Sequence, residues 1–337
     1  MLAAAEGSVR RAAFALPARV KRVLVLEYML PLGCVVNMTP VFEAIKRARP
    51  RDRPEIEVTV ATRGPGLQVL RHSPFVDHVI ETPDPTTALR AAVRGLRKEL
   101  HCRAIRPDCI LTGASDQRTR IALMGMFGST GWRGGYTVNP VVYHKPLAYD
   151  YGLSVIGNNL RIAKLIGCER EVTRPAVFFS EADAASANSL LRAANPWGRP
   201  VVAMVTQTSG GQSTSWHDAR FATVIRSATA IGCAVAYVGT SRDAAAISAL
   251  RQAAGGTGTS LAGMTTVSEL AAVLAMSDFV VTLDTGTMHV GRAVGVPMVV
   301  LAPPLAKAAR LDAAGRGERA HPAWRGPHLC ARRLSSG

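Results

Sequence analysis

Val280-Val281-Thr282-Leu283-Asp284-Thr285-Gly286-Thr287-Met288-His289 passes from an apolar, β-branched run into an acid, two threonines around a glycine, and then a helical pattern. A short apolar run bounded by turn residues reads as a buried parallel strand. Asp284 then stands at the strand's end, and Thr285 to Thr287 put small side chains and unpaired backbone N–H groups at a helix N-terminus. Such an end favours anions, because the free N–H groups and the macrodipole act in the same direction. His289 falls about one turn into that helix, within reach of a ligand held there. The same residues also suit a plain helix cap with His289 packed beside it, and the stretch alone leaves both readings open.

Working outward, the strand Phe279 to Leu283 is followed by a helix near Met288 to Val294 and the strand Met298 to Leu301. Upstream lie a strand at Val201 to Val205, helical spacing from Phe221 to Ile231, the run Cys233 to Val238, a helix from about Asp243 to Ala253, Leu261, and a helix from Val267 to Met276. The first half repeats this logic. Val23 to Leu26 leads through a loop containing proline and glycine to Val41-Phe42-x-x-Ile45 at helical spacing, and Ile56 to Val60, Val76 to Ile80 and Cys109 to Leu111 read as further strands, with a helix from Asn158 to Ile166. Two β-α alternations meeting near residues 167 to 180 predict an α/β protein of two doubly wound, Rossmann-like domains facing a cleft. Ligands are then expected beyond the carboxyl ends of the strands.

Composition agrees with this. The 337 residues are 48% hydrophobic, 19% charged and only 5% aromatic, which excludes a disordered or fibrous chain and implies a core of small aliphatic side chains. The net charge of +16 favours anionic partners. More than half of it sits at the ends: Arg10, Arg11, Arg19, Lys21 and Arg22 against Glu6, and seven Lys or Arg after residue 305 against Asp312 and Glu318. No zinc-finger, RRM or helix-turn-helix signature accompanies the charge, so nucleic acid is not the expected partner. Cys34, Cys102, Cys109, Cys168, Cys233 and Cys330 form no C-x-x-C pair, which argues against a zinc site or a disulfide framework. Neither a signal peptide nor an apolar run of membrane-spanning length is legible, so a cytoplasmic protein is expected.

Taken as a set, these segments resemble glycosyltransferase family 9, the ADP-heptose:lipopolysaccharide heptosyltransferases. The resemblance covers about residues 20 to 305. It rests on Arg22-Val23-Leu24-Val25-Leu26 with Gly33-x-Val35-Val36-x-x-Thr39-Pro40, on Ser73-Pro74-Phe75-Val76-Asp77-x-Val79-Ile80, and on Trp216-x-x-x-Arg220-Phe221. Above all it rests on Leu261-Ala262-Gly263-Met264-Thr265-x-x-x-Glu269-Leu270-Ala271-x-x-Leu274-Ala275 followed by Asp284-Thr285-Gly286-x-Met288-His289. It implies the GT-B architecture: a basic extension over 1–20, an acceptor-side domain over 21–170, a nucleotide-sugar domain over 171–305 and a basic irregular tail over 306–337. The tail's Arg/Ala/Gly/Pro bias reads as a flexible end or a shifted reading frame, without the closing helix that straps GT-B domains together.

The resemblance further implies a metal-independent, inverting transfer that needs no cofactor, in which an acceptor hydroxyl attacks the anomeric carbon of ADP-heptose and ADP departs. By its pattern Asp284, Thr285, Gly286 and His289 line the donor phosphates and sugar. Met264 lies against the adenine, Asp243 holds the ribose, and Ser209 and Gly210 face the diphosphate. The implied acceptor is an anionic lipopolysaccharide core, which suits a basic protein working peripherally at the inner surface of the inner membrane. Three positions depart from the pattern. Cys34 stands where such enzymes carry the Asp that acts as base, Thr214 where they carry a Lys that steadies the leaving group, and His217 where they carry a Pro. A thiol with pKa of about 8.5 is little ionised at neutral pH, so Cys34 reads as a small packed side chain before it reads as a base. Glu27, at the end of the first strand, is the conceivable substitute carboxylate, although a solvated or salt-bridged Glu is the ordinary expectation. The alternative to an active transferase is a relative that binds a nucleotide sugar without efficient turnover.

Overall fold

The computed structural model describes residues 16, 19–29, 31–48, 55–208 and 216–301. In chain order the first half comprises β1 (Arg22–Leu26), α1 (Leu32–Val36), α2 (Thr39–Arg47), β2 (Glu57–Thr62), α3 (Pro65–Leu70), β3 (His78–Glu81), α4 (Pro85–Cys102), β4 (Cys109–Thr112), α5 (Thr119–Gly128), β5 (Trp132–Tyr136), β6 (Lys145–Leu147) and α6 (Val155–Lys164). The second half comprises α7 (Glu181–Ala194), β7 (Val201–Val205), α8 (Asp218–Ala230), β8 (Ala234–Tyr237), α9 (Ala244–Ala253), β9 (Thr259–Ser260), α10 (Val267–Met276), β10 (Phe279–Leu283), α11 (Gly286–Val294) and β11 (Met298–Leu301).

The strands form two parallel sheets, ordered β3-β2-β1-β4-β5-β6 and β11-β10-β7-β8-β9. Both orders reverse direction beside the first strand of the unit, between β1 and β4 and between β7 and β10. These are the switch points where doubly wound sheets open a crevice. Both faces of each sheet are covered, as continuous apolar strands require. Val23 and Val25 enter one core and Leu24 and Leu26 another, while Val201, Ala203 and Val205 face away from Val202 and Met204.

The amino ends of the strands are locked in the same way in both sheets. Asp108, just ahead of β4, accepts bonds from the Lys21 and Arg22 N–H groups at 2.7 and 2.8 Å, and Asp278, just ahead of β10, accepts one from Val201 N–H at 2.7 Å. The carboxyl ends are thereby left as the open side.

Strands β5 and β6 were not legible in the sequence. Trp132-Arg133-Gly134-Gly135-Tyr136 and Lys145-Pro146-Leu147 lack a β-branched run, and pairing of β5 with β4 and of β6 with β5 makes them strands where propensity does not. The loop expected after β1 contains the short helix α1. Helices α3, α4, α5 and α7 and the short strand β9 were also not expected. Where elements were expected, boundaries shift by a few residues: the third strand starts at His78 rather than Val76, and the helix expected from Asn158 begins at Val155, where Ser154 caps it.

Candidate functional site

The two switch points face each other across a cleft of about 550 Å³. The first contributes Pro31, Leu32, Gly33, Cys34 and Asn37 from the segment after β1, and Ala114, Ser115 and Gln117 from the loop after β4. The second contributes Asp284, Thr285, Gly286 and His289. Tyr149, Tyr151 and Val155 close one side.

Two glycines allow this approach. A Cβ on Gly33 would come within 2.3 Å of the His289 ring, and one on Gly286 within 2.8 Å of Leu32 Cβ. Helices α1 and α11 therefore meet through backbone, and His289 fills the notch at Gly33. Both readings of His289 hold together: it packs, and it lines the cleft. Burial pushes its pKa down, opposed by the charge of Asp284 and assisted by that of Arg292, so the ring is neutral, and its buried Nδ1 has no hydrogen-bond partner.

Thr285 occupies the N-cap position of α11 in extended backbone, yet its side chain makes no capping bond and the first turn holds no acid. A satisfied cap was the blander expectation, and the geometry departs from it. The residues that open this helix, Thr285 and Gly286, line the cleft beside a half-buried Asp284.

Asp243 and Met264 lie outside the cleft lining, at the carboxyl ends of β8 and β9. Asp243 Oδ2 accepts bonds from Thr240 N–H (2.7 Å) and Thr240 Oγ1 (2.8 Å) in a capping box. Met264 is 53% exposed, on a turn held to its neighbour by the Gly263 N–H to Gly239 O bond. From β10 across β7 and β8 to β9 is three strand spacings, roughly 14 Å. The Asp284 segment and Met264 thus mark the two ends of one sheet edge. Ser209, Gly210 and Thr214 lie outside the described residues; His217 is exposed at the start of α8.

The expectation of a solvated or salt-bridged Glu27 is overturned. Glu27 is fully buried at the end of β1; Oε1 accepts a 3.2 Å bond from Met29 N–H, and Oε2 has no partner. Its pKa is raised to about 8, first by burial and then by the charge of Asp116, against smaller opposing effects of the Met29 bond and Arg118. Glu27 is thus protonated at neutral pH. The sequence could not show this, because the burial that holds it neutral is a product of packing, and the Asp116 charge that adds to it comes from the loop after β4. The Cys34 thiol is likewise pushed up to about 11 by burial and by Glu27, with a Ser115 hydrogen bond opposing. A base at position 34 is therefore not available as a thiolate.

Arg118, Arg120 and Arg133 are each engaged. Arg118 forks onto Asp116 at 2.7 and 2.8 Å, Arg120 donates to Thr86 O at 2.6 Å, and Arg133 donates to Val142 O at 2.9 Å. Sequence reasoning also passed over Asn158 and Asn159, both fully buried in α6. Asn159 ties the two loops of the first switch point together, accepting from Ala114 N–H at 2.8 Å and donating to Asn37 O at 3.1 Å. Two adjacent amides inside an apolar helix were the available signal, since buried amides are kept where they satisfy backbone groups.

Two parallel doubly wound sheets with one cleft between their carboxyl edges define a GT-B-type protein. The family model for glycosyltransferase family 9 (heptosyltransferase) matches residues 122–302, and the chain belongs to that family. The first switch point precedes the matched region. Among solved structures, a family 9 glycosyltransferase from Veillonella parvula shares 18% identity at a TM-score of 0.75, over 86% of this chain and 84% of that one. The E. coli ADP-heptose LPS heptosyltransferase II shares 16% identity at a TM-score of 0.68, over 83% and 84%. The E. coli heptosyltransferase WaaC with ADP shares 17% identity at 0.63, over 83% and 86%. At these identities the likeness is one of fold. No curated protein sequence matches the chain.

Proposed function

We propose that the protein transfers a heptose from ADP-heptose to a sugar hydroxyl of a lipopolysaccharide-core-like glycolipid, with inversion at the anomeric carbon. The observation that carries this reading is the uncapped N-terminus of α11 facing the first switch point across a single cleft. Adenine lies toward Met264, ribose toward Asp243 and the diphosphate against the α11 N-terminus, along the carboxyl edge of the second sheet. The acceptor hydroxyl attacks from the first-sheet side, the bond from the anomeric carbon to the diphosphate oxygen breaks, and N–H groups at the α11 N-terminus take up charge on the departing ADP. Residues 21–170 form the acceptor side and 171–305 the donor side. Basic terminal segments support a peripheral place on the cytoplasmic face of the inner membrane; among the described residues no helix is long and apolar enough to cross a membrane.

A second reading, binding without efficient turnover, is favoured by one specific observation. The acceptor proton needs a base, and at the first switch point both candidates are protonated: the Cys34 thiol is held up to about 11 and Glu27 up to about 8. Titrating the purified chain with ADP-heptose, ADP, UDP-glucose and GDP-mannose, then assaying ADP release with acceptor, tests both. Selective binding of adenine nucleotides with ADP release supports the transferase; binding without release supports the silent relative. Binding to none of the four overturns both.

A further inference from the structure

The acceptor side of the cleft is built for a ring without charge. Among the described residues that line the cleft there is no Lys or Arg, and Asp284 is the one carboxylate. Two guanidinium groups on the first-sheet side are engaged elsewhere. Arg118 is paired with Asp116, and Arg161 donates to Ala148 O at 2.7 Å while stacking 5.9 Å from the Tyr136 ring centroid. A carboxylate or phosphate entering on this side would give up water without gaining a cation from the lining residues, beside the negative charge of Asp284.

What the wall does offer is aromatic and amide. The Tyr149 and Tyr151 rings lie 5.1 Å apart at 59°, and Tyr136 backs Tyr149 at 6.3 Å. Tyr151 is 85% exposed, yet the loop that presents it is fastened. Buried Asn158 accepts from Asp150 N–H at 2.9 Å and donates to Asp150 O at 2.8 Å, and Asp150 Oδ1 accepts from Gly152 N–H at 2.9 Å. A loop ordered in advance reduces the entropy lost on binding. Deeper in the cleft, Asn37 is 8% exposed and its Oδ1 has no hydrogen-bond partner. A buried carbonyl oxygen left unpaired calls for a donor, which a sugar hydroxyl supplies and a carboxylate does not.

We propose that Tyr149, Tyr151 and Asn37 form a subsite for an uncharged pyranose ring of the acceptor, the tyrosine faces taking its C–H face and Asn37 Oδ1 accepting from a ring hydroxyl. This rests on the transferase reading and narrows it: any anionic group of the glycolipid acceptor lies outside the cleft.

The test uses the full chain with ADP present, titrated with the methyl glycoside of a neutral heptose or hexose and, separately, of a hexuronic acid. Saturation-transfer NMR reads the ring C–H protons, and calorimetry reads ADP in the same samples. The neutral glycoside is expected to bind more tightly than the acidic one. Tyr151→Ala weakens it about tenfold, Tyr151→Phe keeps it, and ADP affinity is unchanged in both variants. Because Tyr151 is exposed, the alanine variant retains its fold. Tighter binding of the acidic glycoside, undiminished binding in Tyr151→Ala, or no binding of the neutral glycoside overturns the proposal. Failure of ADP alone to bind, with the neutral glycoside still held through Tyr151, overturns the transferase reading and leaves the subsite.

Discussion

The segments after β1 and β10 have the same architecture and opposite electrostatics. Each runs from a central parallel strand through an acid to a helix that opens near a glycine, Glu27 to Gly33 in one sheet and Asp284 to Gly286 in the other. In the first, the acid is sealed behind the cleft floor, with one oxygen unpaired and a proton retained at neutral pH. In the second, the acid is half-buried on the cleft wall beside an uncapped helix N-terminus. Topology thus decides where an acid at a strand end goes, and its burial there decides what it does. Burial makes Glu27 a neutral acid, and the charge of Asp116, from the loop after β4, adds to that effect while Arg118 opposes it.

The largest effect expected from this contrast is in stability against pH. Glu27 has a folded pKa near 8 against an ordinary value of 4.5, so the folded state holds a proton that the unfolded state releases. Its contribution is fully present below pH 4.5 and is lost as pH rises to 8, on the order of 4 kcal/mol in all. Denaturant titrations across that range are expected to show the loss in the natural chain and a much flatter profile in Glu27→Gln. Parallel profiles would put the two acids on the same footing and break the comparison.

Next comes the junction of the two segments. Gly33→Ala drives a methyl group into His289 and is expected to lower stability by about 2 kcal/mol, as overpacking does. Combining it with His289→Ala should restore most of the loss, because the clash then has no partner. Additive losses in thermal denaturation would mean that α1 and α11 are not coupled through this contact.

At the second segment, Asp284→Asn is expected to weaken ADP-heptose binding by about tenfold. Calorimetry checks this. The smallest effect belongs to the far end of the same sheet edge. Asp243→Ala removes the capping-box acceptor at a stability cost of about 1 kcal/mol. It is also expected to weaken ADP severalfold; unchanged ADP affinity would confine Asp243 to its cap.

Much of the second switch point was legible in sequence, because its information is local. An apolar strand, an acid, Thr285 and Gly286 suffice to place a helix N-terminus at the sheet edge, and the interval from Val267 to Leu301 matched its expected elements closely. The acceptor side was less legible because its parts come from distant positions. β5 and β6 owe their form to pairing, and Tyr149, Tyr151 and Asn37 meet only through buried amides on α6 that satisfy backbone groups elsewhere in the chain.

The sequence by itself determined the alternation of strands and helices, and with it two parallel sheets whose carboxyl edges open at their switch points. Apolar period and turn chemistry act over a few residues, which is why that much can be read along the chain. Protonation and partner choice were decided only by the tertiary structure. Glu27 and Cys34 are held neutral first by burial, with a lesser push from charges brought close only by folding, and Arg120 is engaged by the Thr86 carbonyl 34 residues away. Desolvation and Coulomb energies depend on distance in space, and the linear order of residues does not carry it.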